Sequence, residues 1–217
     1  MVDLVTSNTD FYSGRNRQLV HQLCTYGAVL LLQEAKDMTL RDVLPADWRS
    51  LQNTSSDAKR GSCIAVDNRR VKVLEHYLTV GCGPPPGGGM MTRYIATAVC
   101  QMRHNGAVFT AISAHYPPRR YAMQWEEYTT SLKRVRANVR GKVPVIGTDA
   151  NMPIGQLAAK LNSKAYGVGI IGFVTSAKVE RERVETWPVT EKRSDHPAYV
   201  IRVNVPASRA KAPAKKG

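Results

Sequence analysis

Alternating apolar and polar positions, interrupted by short β-branched runs, predict strands at Leu4–Asn8, Ala28–Glu34, Cys63–Asp67, Val71–Thr79, Tyr94–Met102, Val108–His115, Val143–Thr148, Gly169–Ser176 and Tyr199–Val205. Val179–Trp187 has strand spacing but carries enough charge to be an edge or a loop. Many of these runs are nearly adjacent, which argues for hairpins in a mixed or antiparallel sheet. Two stretches show helical spacing instead. Leu19, Val20, Leu23 and Cys24 recur at i, i+1, i+4 and i+5 behind Ser13 and Gly14, and Trp125, Tyr128, Leu132, Val135 and Val139 share one face. The second helix turns Lys133, Arg134, Arg136 and Arg140 elsewhere and stops near Gly141. The run Gly81-Cys-Gly-Pro-Pro-Pro-Gly-Gly-Gly89 is read as a long mobile loop outside any helix or strand. No Gly-Lys-Ser/Thr follows it, so it is not a phosphate-binding glycine loop.

These strands fit one domain over residues 1–206, followed by a basic, Ala/Pro-rich tail at 207–217 that composition marks as disordered. With 43% hydrophobic and 22% charged residues the chain has material for a core, and its longest apolar run, Ala28 to Leu32, is too short to cross a bilayer. The first ten residues lack a secretory pattern, so a cytoplasmic location is expected. Cys24, Cys63, Cys82 and Cys100 have no paired spacing and read as reduced thiols rather than a zinc knuckle. Charge adds the first functional hint. Thirty-one Lys and Arg against 17 Asp and Glu give +14, an excess that attracts polyanions such as nucleic acid.

The chemistry gathers where predicted strands end. Leu4-Val-Thr-Ser-Asn8 ends on Asn8, Val29-Leu-Leu-Leu-Gln-Glu34 on Glu34 and Ala111-Ile-Ser-Ala-His115 on His115. Val145-Ile-Gly-Thr-Asp-Ala-Asn151 ends on Asp149 and Asn151, and Ser194-Asp-His-Pro197 precedes the final strand. Carboxylates, amides and imidazoles without thiolates are hard ligands, suited to Mg²⁺ or Mn²⁺. Singly, each has an ordinary account as a turn cap, a rim carboxylate or a satisfied imidazole. Together they mark the strand ends that one α/β sandwich brings to a single rim.

In this order, Thr6-Ser-Asn8, Leu32-Gln-Glu34, Ser113-Ala-His-Tyr-Pro117, Gly147-Thr-Asp-Ala-Asn151 and Ser194-Asp-His196 resemble the endonuclease/exonuclease/phosphatase superfamily, over nearly the whole chain. The resemblance implies a DNase I-like α/β fold, a four-layer sandwich of two mixed sheets flanked by helices. It implies a divalent cation, Mg²⁺ or Mn²⁺, held by Glu34 with Asn8 and Asp195. Asp149 would activate water with Asn151 fixing it, His196 would donate to the phosphate, and His115 would serve the leaving oxygen as general acid or hydrogen-bond donor. Arg93, Arg119 and Arg120 would grip phosphates. The expected activity is Mg²⁺-dependent phosphodiester hydrolysis by a low-specificity nuclease on DNA or RNA, with no membrane and no obligate protein partner. The alternatives are a phosphatase on an anionic small molecule or lipid headgroup, and a nucleic-acid-binding protein of impaired catalysis.

Two departures from the family pattern carry expectations of their own. Thr148 stands where the family has Gly before its Asp, which would alter the turn carrying Asp149. Gly172 stands where the penultimate strand has the acid that orients the final histidine, leaving that job to Glu185, Glu191 or no residue.

Overall fold

In the computed structural model the described residues are 1–9, 16–35, 40–51, 61–139, 143–186 and 196–207. Twelve strands form two sheets. The first holds β11 (Val179–Glu185), β12 (Ala198–Val203), β1 (Val2–Asn8), β2 (Val29–Gln33), β4 (Cys63–Asp67) and β3 (Trp48–Ser50), in that spatial order. The second holds β5 (Val71–Cys82), β6 (Arg93–Met102), β7 (Val108–His115), β8 (Pro144–Asp149), β10 (Ile171–Thr175) and β9 (Lys164–Val168). Each sheet has one parallel pair at its centre, β1 with β2 and β7 with β8, and the rest of its ladders are antiparallel. A parallel pair needs a crossover. Helix α1 (Asn16–Tyr26) lies between β1 and β2 in the chain, and α2 (Trp125–Asn138) between β7 and β8.

Strand alternation sorts the side chains into three apolar layers. Leu4, Leu31, Ala111, Val145 and Phe173 meet between the sheets. Val5, Leu30 and Leu32 turn outward against Leu19, Val20 and Leu23 of α1. Ile112, Ile146 and Val174 turn the other way, against Tyr128, Leu132 and Val135 of α2 and Ile154 and Leu157 of α3 (Ile154–Lys160). The result is helix, sheet, sheet, helix, the four-layer sandwich expected from the sequence. The sheets come close at Gly147, where a β-carbon would stand 2.8 Å from Leu31 Cβ and 2.8 Å from Thr6 Oγ1. No helix among the described residues is long and apolar enough to cross a membrane.

Three readings of the sequence change. Gly81 and Cys82 belong to β5 rather than to the glycine-proline loop, because the bare Cα of Gly81 lets the Tyr128 ring pack against the strand. Thr148 leaves the path to Asp149 undisturbed: β8 continues through Asp149, and Thr148 is buried. Gly172 pairs with Thr148, whereas Ile171 pairs with Asp149 and sits in the layer between the sheets. A one-residue step reverses which face a strand residue points to, so Gly172 is not the position beside Asp149. An Asp there would also collide with backbone, since its Cβ would lie 2.4 Å from Tyr166 O and 2.9 Å from Gly167 Cα. Of the charged run, Val179–Glu185 is a strand at the sheet edge, one of the two outcomes expected. Of the tail, only Ala207 is described.

Candidate active site

Between the sheets the side chains change character in steps along the strands. Leu4, Leu31, Ala111 and Val145 give way two residues on to Thr6, Gln33, Ser113 and Gly147. Two residues further along β1, β7 and β8 stand Asn8, His115 and Asp149, with Glu34 immediately after β2. The middle step is a buried polar belt. Gln33 Nε2 lies 3.1 Å from Ser113 Oγ and 3.4 Å from Gly147 O on the other sheet, while Ser113 Oγ donates to Leu32 O at 2.9 Å. A satisfied buried network of this kind fixes how the sheets face each other and so sets the register of the rim above it.

At that rim the parallel pairing of β7 with β8 places His115 beside Asp149. Asp149 is 2% exposed, and both carboxylate oxygens accept hydrogen bonds: Oδ2 from Asn8 Nδ2 at 2.9 Å and Oδ1 from the Asn151 N–H at 3.2 Å. Asn151 Nδ2 donates to Tyr116 O at 2.9 Å. Two of the chain's described non-glycine residues with left-handed backbone are Glu34 at φ 54° and Asn151 at φ 49°. Such a conformation costs roughly 1–3 kcal/mol and concentrates at functional sites. Glu34 spends it where the chain leaves β2, its carboxylate about one-third exposed.

His115, 2% exposed, is held on three sides. Its N–H donates to Tyr128 Oη at 3.1 Å, and its Nδ1 lies 2.8 Å from Arg93 Nη1. Arginine has no acceptor, so Arg93 donates and Nδ1 accepts, which puts the imidazole proton on Nε2. That atom faces Glu34 Oε1 at 3.7 Å and Asp149 Oδ2 at 3.9 Å. Both separations exceed a hydrogen bond, so the two carboxylates face one imidazole N–H without bonding it. Burial holds the Arg93 guanidinium below its ordinary value, opposed by the nearby Tyr128, Glu34, Cys82 and Asp149. Burial likewise drives the Tyr128 hydroxyl well up, keeping it a neutral hydrogen-bonding group.

The predicted residues therefore fall into three sets. Asn8, Glu34, Arg93, His115, Asp149 and Asn151 come together. Arg119 and Arg120 open a short 3-10 helix four residues beyond His115 and are exposed. His196 stands two residues before β12, whose first residues run beside the end of β1 that carries Asn8, and is partly buried. Asp195 lies outside the described residues. Tyr128 carries only a helix-face signal in the sequence and Gln33 only its place before Glu34; the partners of both are set by packing.

No protein-family model matches the sequence, and no curated protein matches it. Solved structures do. An endonuclease/exonuclease/phosphatase from Bacteroides vulgatus superposes with a TM-score of 0.77 at 14% identity, over 94% of this chain and 99% of that one. The chain has the endonuclease/exonuclease/phosphatase fold. A mannosyl-6-phosphatase of Bacteroides thetaiotaomicron shares this fold at TM-score 0.73 and 14% identity, over 94% of this chain and 100% of its own. D. rerio TDP2, solved with a single-strand DNA product, matches at TM-score 0.74 and 14% identity, over 94% and 99%. In this endonuclease/exonuclease/phosphatase fold the converging rim lies at the ends of both central parallel pairs, where loops are free to vary above a rigid sheet.

Among the described residues no three His, Cys, Asp or Glu are grouped as a ready-made metal cage. The donor set still fits Mg²⁺, which keeps several waters and needs only one or two carboxylates. Glu34, about one-third exposed at the rim, and the Asn8 amide supply hard oxygens of the required kind.

Proposed function

We propose that the protein is a divalent-metal-dependent phosphodiesterase, a nuclease of low sequence specificity acting on DNA or RNA. The observation that carries the reading is the pair of carboxylates, Glu34 and Asp149, that face His115 Nε2–H at the rim, inside a chain of net charge +14. Glu34, with Asn8 and Asp195, would hold Mg²⁺ or Mn²⁺, which when bound would neutralise charge gathering on the phosphate oxygens. Asp149 takes a proton from the attacking water. Its two hydrogen bonds from Asn8 and Asn151 keep the carboxylate aimed until then. The oxygen of that water bonds to phosphorus as the opposite P–O bond breaks and its electron pair leaves with the departing oxygen. His115, held by Arg93 in the Nε2–H form, donates a hydrogen bond to an oxygen of the reacting phosphate rather than acting as a general acid. His196 donates from the β12 side. Arg119 and Arg120 at the rim bind flanking phosphates without reading bases.

The test is plasmid incubated with purified protein in Mg²⁺ or in EDTA, alongside Glu34→Gln and Asp149→Asn. Cleavage in Mg²⁺ alone, lost in both variants, is expected. Hydrolysis confined to a small phosphomonoester would favour the phosphatase, and salt-sensitive nucleic-acid binding without any hydrolysis would favour a binding protein.

A further inference from the structure

Away from the rim, at the opposite end of β1, the outer face of the first sheet carries a second concentration of charge. A cleft of about 230 Å³ opens beyond the carboxyl end of α1 and is lined by Arg70, Arg181, Arg183 and Arg202, with Asp3 and Tyr26. Asp3 and Asn8 are five residues apart on one strand, so the cleft lies ~17 Å from the catalytic rim at strand rise. It belongs to a different face of the molecule.

The arrangement costs stability as it stands. Arg181 and Arg202 are direct cross-strand partners of β11 and β12, a like-charge pairing that antiparallel sheets disfavour. A β-bulge between Val179 and Arg181 sets that pairing. Four guanidinium groups meet Asp3 and Glu185, and Arg70 also faces the charge of Asp67. Asp3 binds Arg202 through paired bonds of 2.7 and 2.9 Å and stands 3.9 Å from Arg70, while Glu185 lies 2.9 Å from Arg183 Nε. The Arg183 guanidinium is further fixed 4.8 Å above the Tyr26 ring. Arg181 has no ion pair among the described residues. The carboxyl end of α1 adds about half of one negative charge, and Arg181 is still left without a carboxylate of its own.

We propose that this cleft is a second anion site, built to hold a phosphate group of a phosphorylated ligand. Guanidinium forks match phosphate oxygens in pairs, and two of these forks are already oriented by Asp3 and Tyr26, so little freedom is lost on binding. Its size suits a pyrophosphate or one nucleotide unit. That phosphate comes either from a free phosphorylated small molecule or from a terminal or backbone phosphate of a nucleic acid.

The two sources separate in one NMR experiment on the full chain, in which the arginine Nε–H signals and the amides of β11 and β12 are followed. Inorganic pyrophosphate is one titrant and a short single-stranded oligonucleotide the other. Saturable shifts at Arg70, Arg181, Arg183 and Arg202 are expected with a Kd below ~1 mM for at least one titrant, and that titrant identifies the source. Arg181→Gln with Arg70→Gln, both at exposed positions, should weaken that binding about tenfold or more, and Asp149→Asn should leave it unchanged. No saturable shift with either titrant overturns the proposal. So does binding at this cleft that the paired arginine substitutions leave intact in a folded variant.

Discussion

Replacing Arg93 by Met tests how the imidazole at the rim is set. The side chains of Arg93 and His115 are 7% and 2% exposed, and Nη1 lies 2.8 Å from Nδ1. Methionine keeps the length of the stem and removes the donor, leaving Nδ1 buried without the hydrogen bond that Arg93 supplies. A hydrogen bond to a charged group is worth ~1.5–3 kcal/mol, and if that energy is expressed in the transition state the rate falls by ~10–150-fold. The assay is steady-state hydrolysis of an activated phosphodiester in Mg²⁺, with the ¹⁵N shifts of the His115 ring read in parallel. A positioning role lowers kcat and shifts the ring toward a mixture of tautomers. A simple phosphate clamp, the role the sequence suggests for Arg93, raises KM with little change in kcat. The reasoning fails if wild-type His115 carries its proton on Nδ1, or if Arg93→Met keeps the Nε2–H form and kcat within about twofold.

Gly147→Ala should lower Tm, since the new methyl group would press on Leu31 and Thr6 where the sheets approach closely. The cost is ~1–3 kcal/mol and each kcal/mol is worth ~2–4 °C in a chain of this size, measurable by calorimetry. Asp67 is subject to burial, which raises its pKa, but hydrogen bonds and charge from Arg69 and charge from Arg70 outweigh it and hold the group below its ordinary 3.8. Its contribution to stability is full above pH 3.8 and is lost as pH falls through the lowered value, so the stability gap between wild type and Asp67→Asn, read by urea unfolding, should be wide at pH 7 and close in acid. Burial pushes the thiols of Cys24 and Cys100 up to about 12 and that of Cys82 up to about 11, with Cys63 higher still. A disulfide reagent at pH 8 should therefore react slowly with the native protein and with all four thiols once it is unfolded; fast native labelling would contradict the burial.

Alternation made the central strands legible, because each buries one face between the sheets and the other beneath a helix, and Cys63–Asp67 and Val108–His115 have the bounds expected. The pattern is silent where burial is partial. The edge strand β9 exposes much of Lys164–Val168, β3 spans three residues, and the seven-residue α3 starts directly at Pro153 with too few turns to show a period. At the rim, the residues that end strands could be read directly. What could not be read is the contact between Arg93 and His115, which depends on how β6 lies against β7, or the register that puts Ile171 rather than Gly172 opposite Asp149. Pairing register is a property of two strands at once, and a single chain read in order does not display it.

The last strand, β12, lies between β11 and the first strand, β1, so the N-terminal strand gains a neighbour on that side only when the C-terminal one arrives. Asn8 and Asp149 are joined across 141 positions of chain, and their alignment rests on that completed sheet. During synthesis the rim therefore lacks its full frame until β12 has emerged, and a chain cut short before Ala198 carries most of the reactive side chains without the sheet that aims them. Arrested nascent chains of increasing length should show it as a step at β12 rather than a gradual rise.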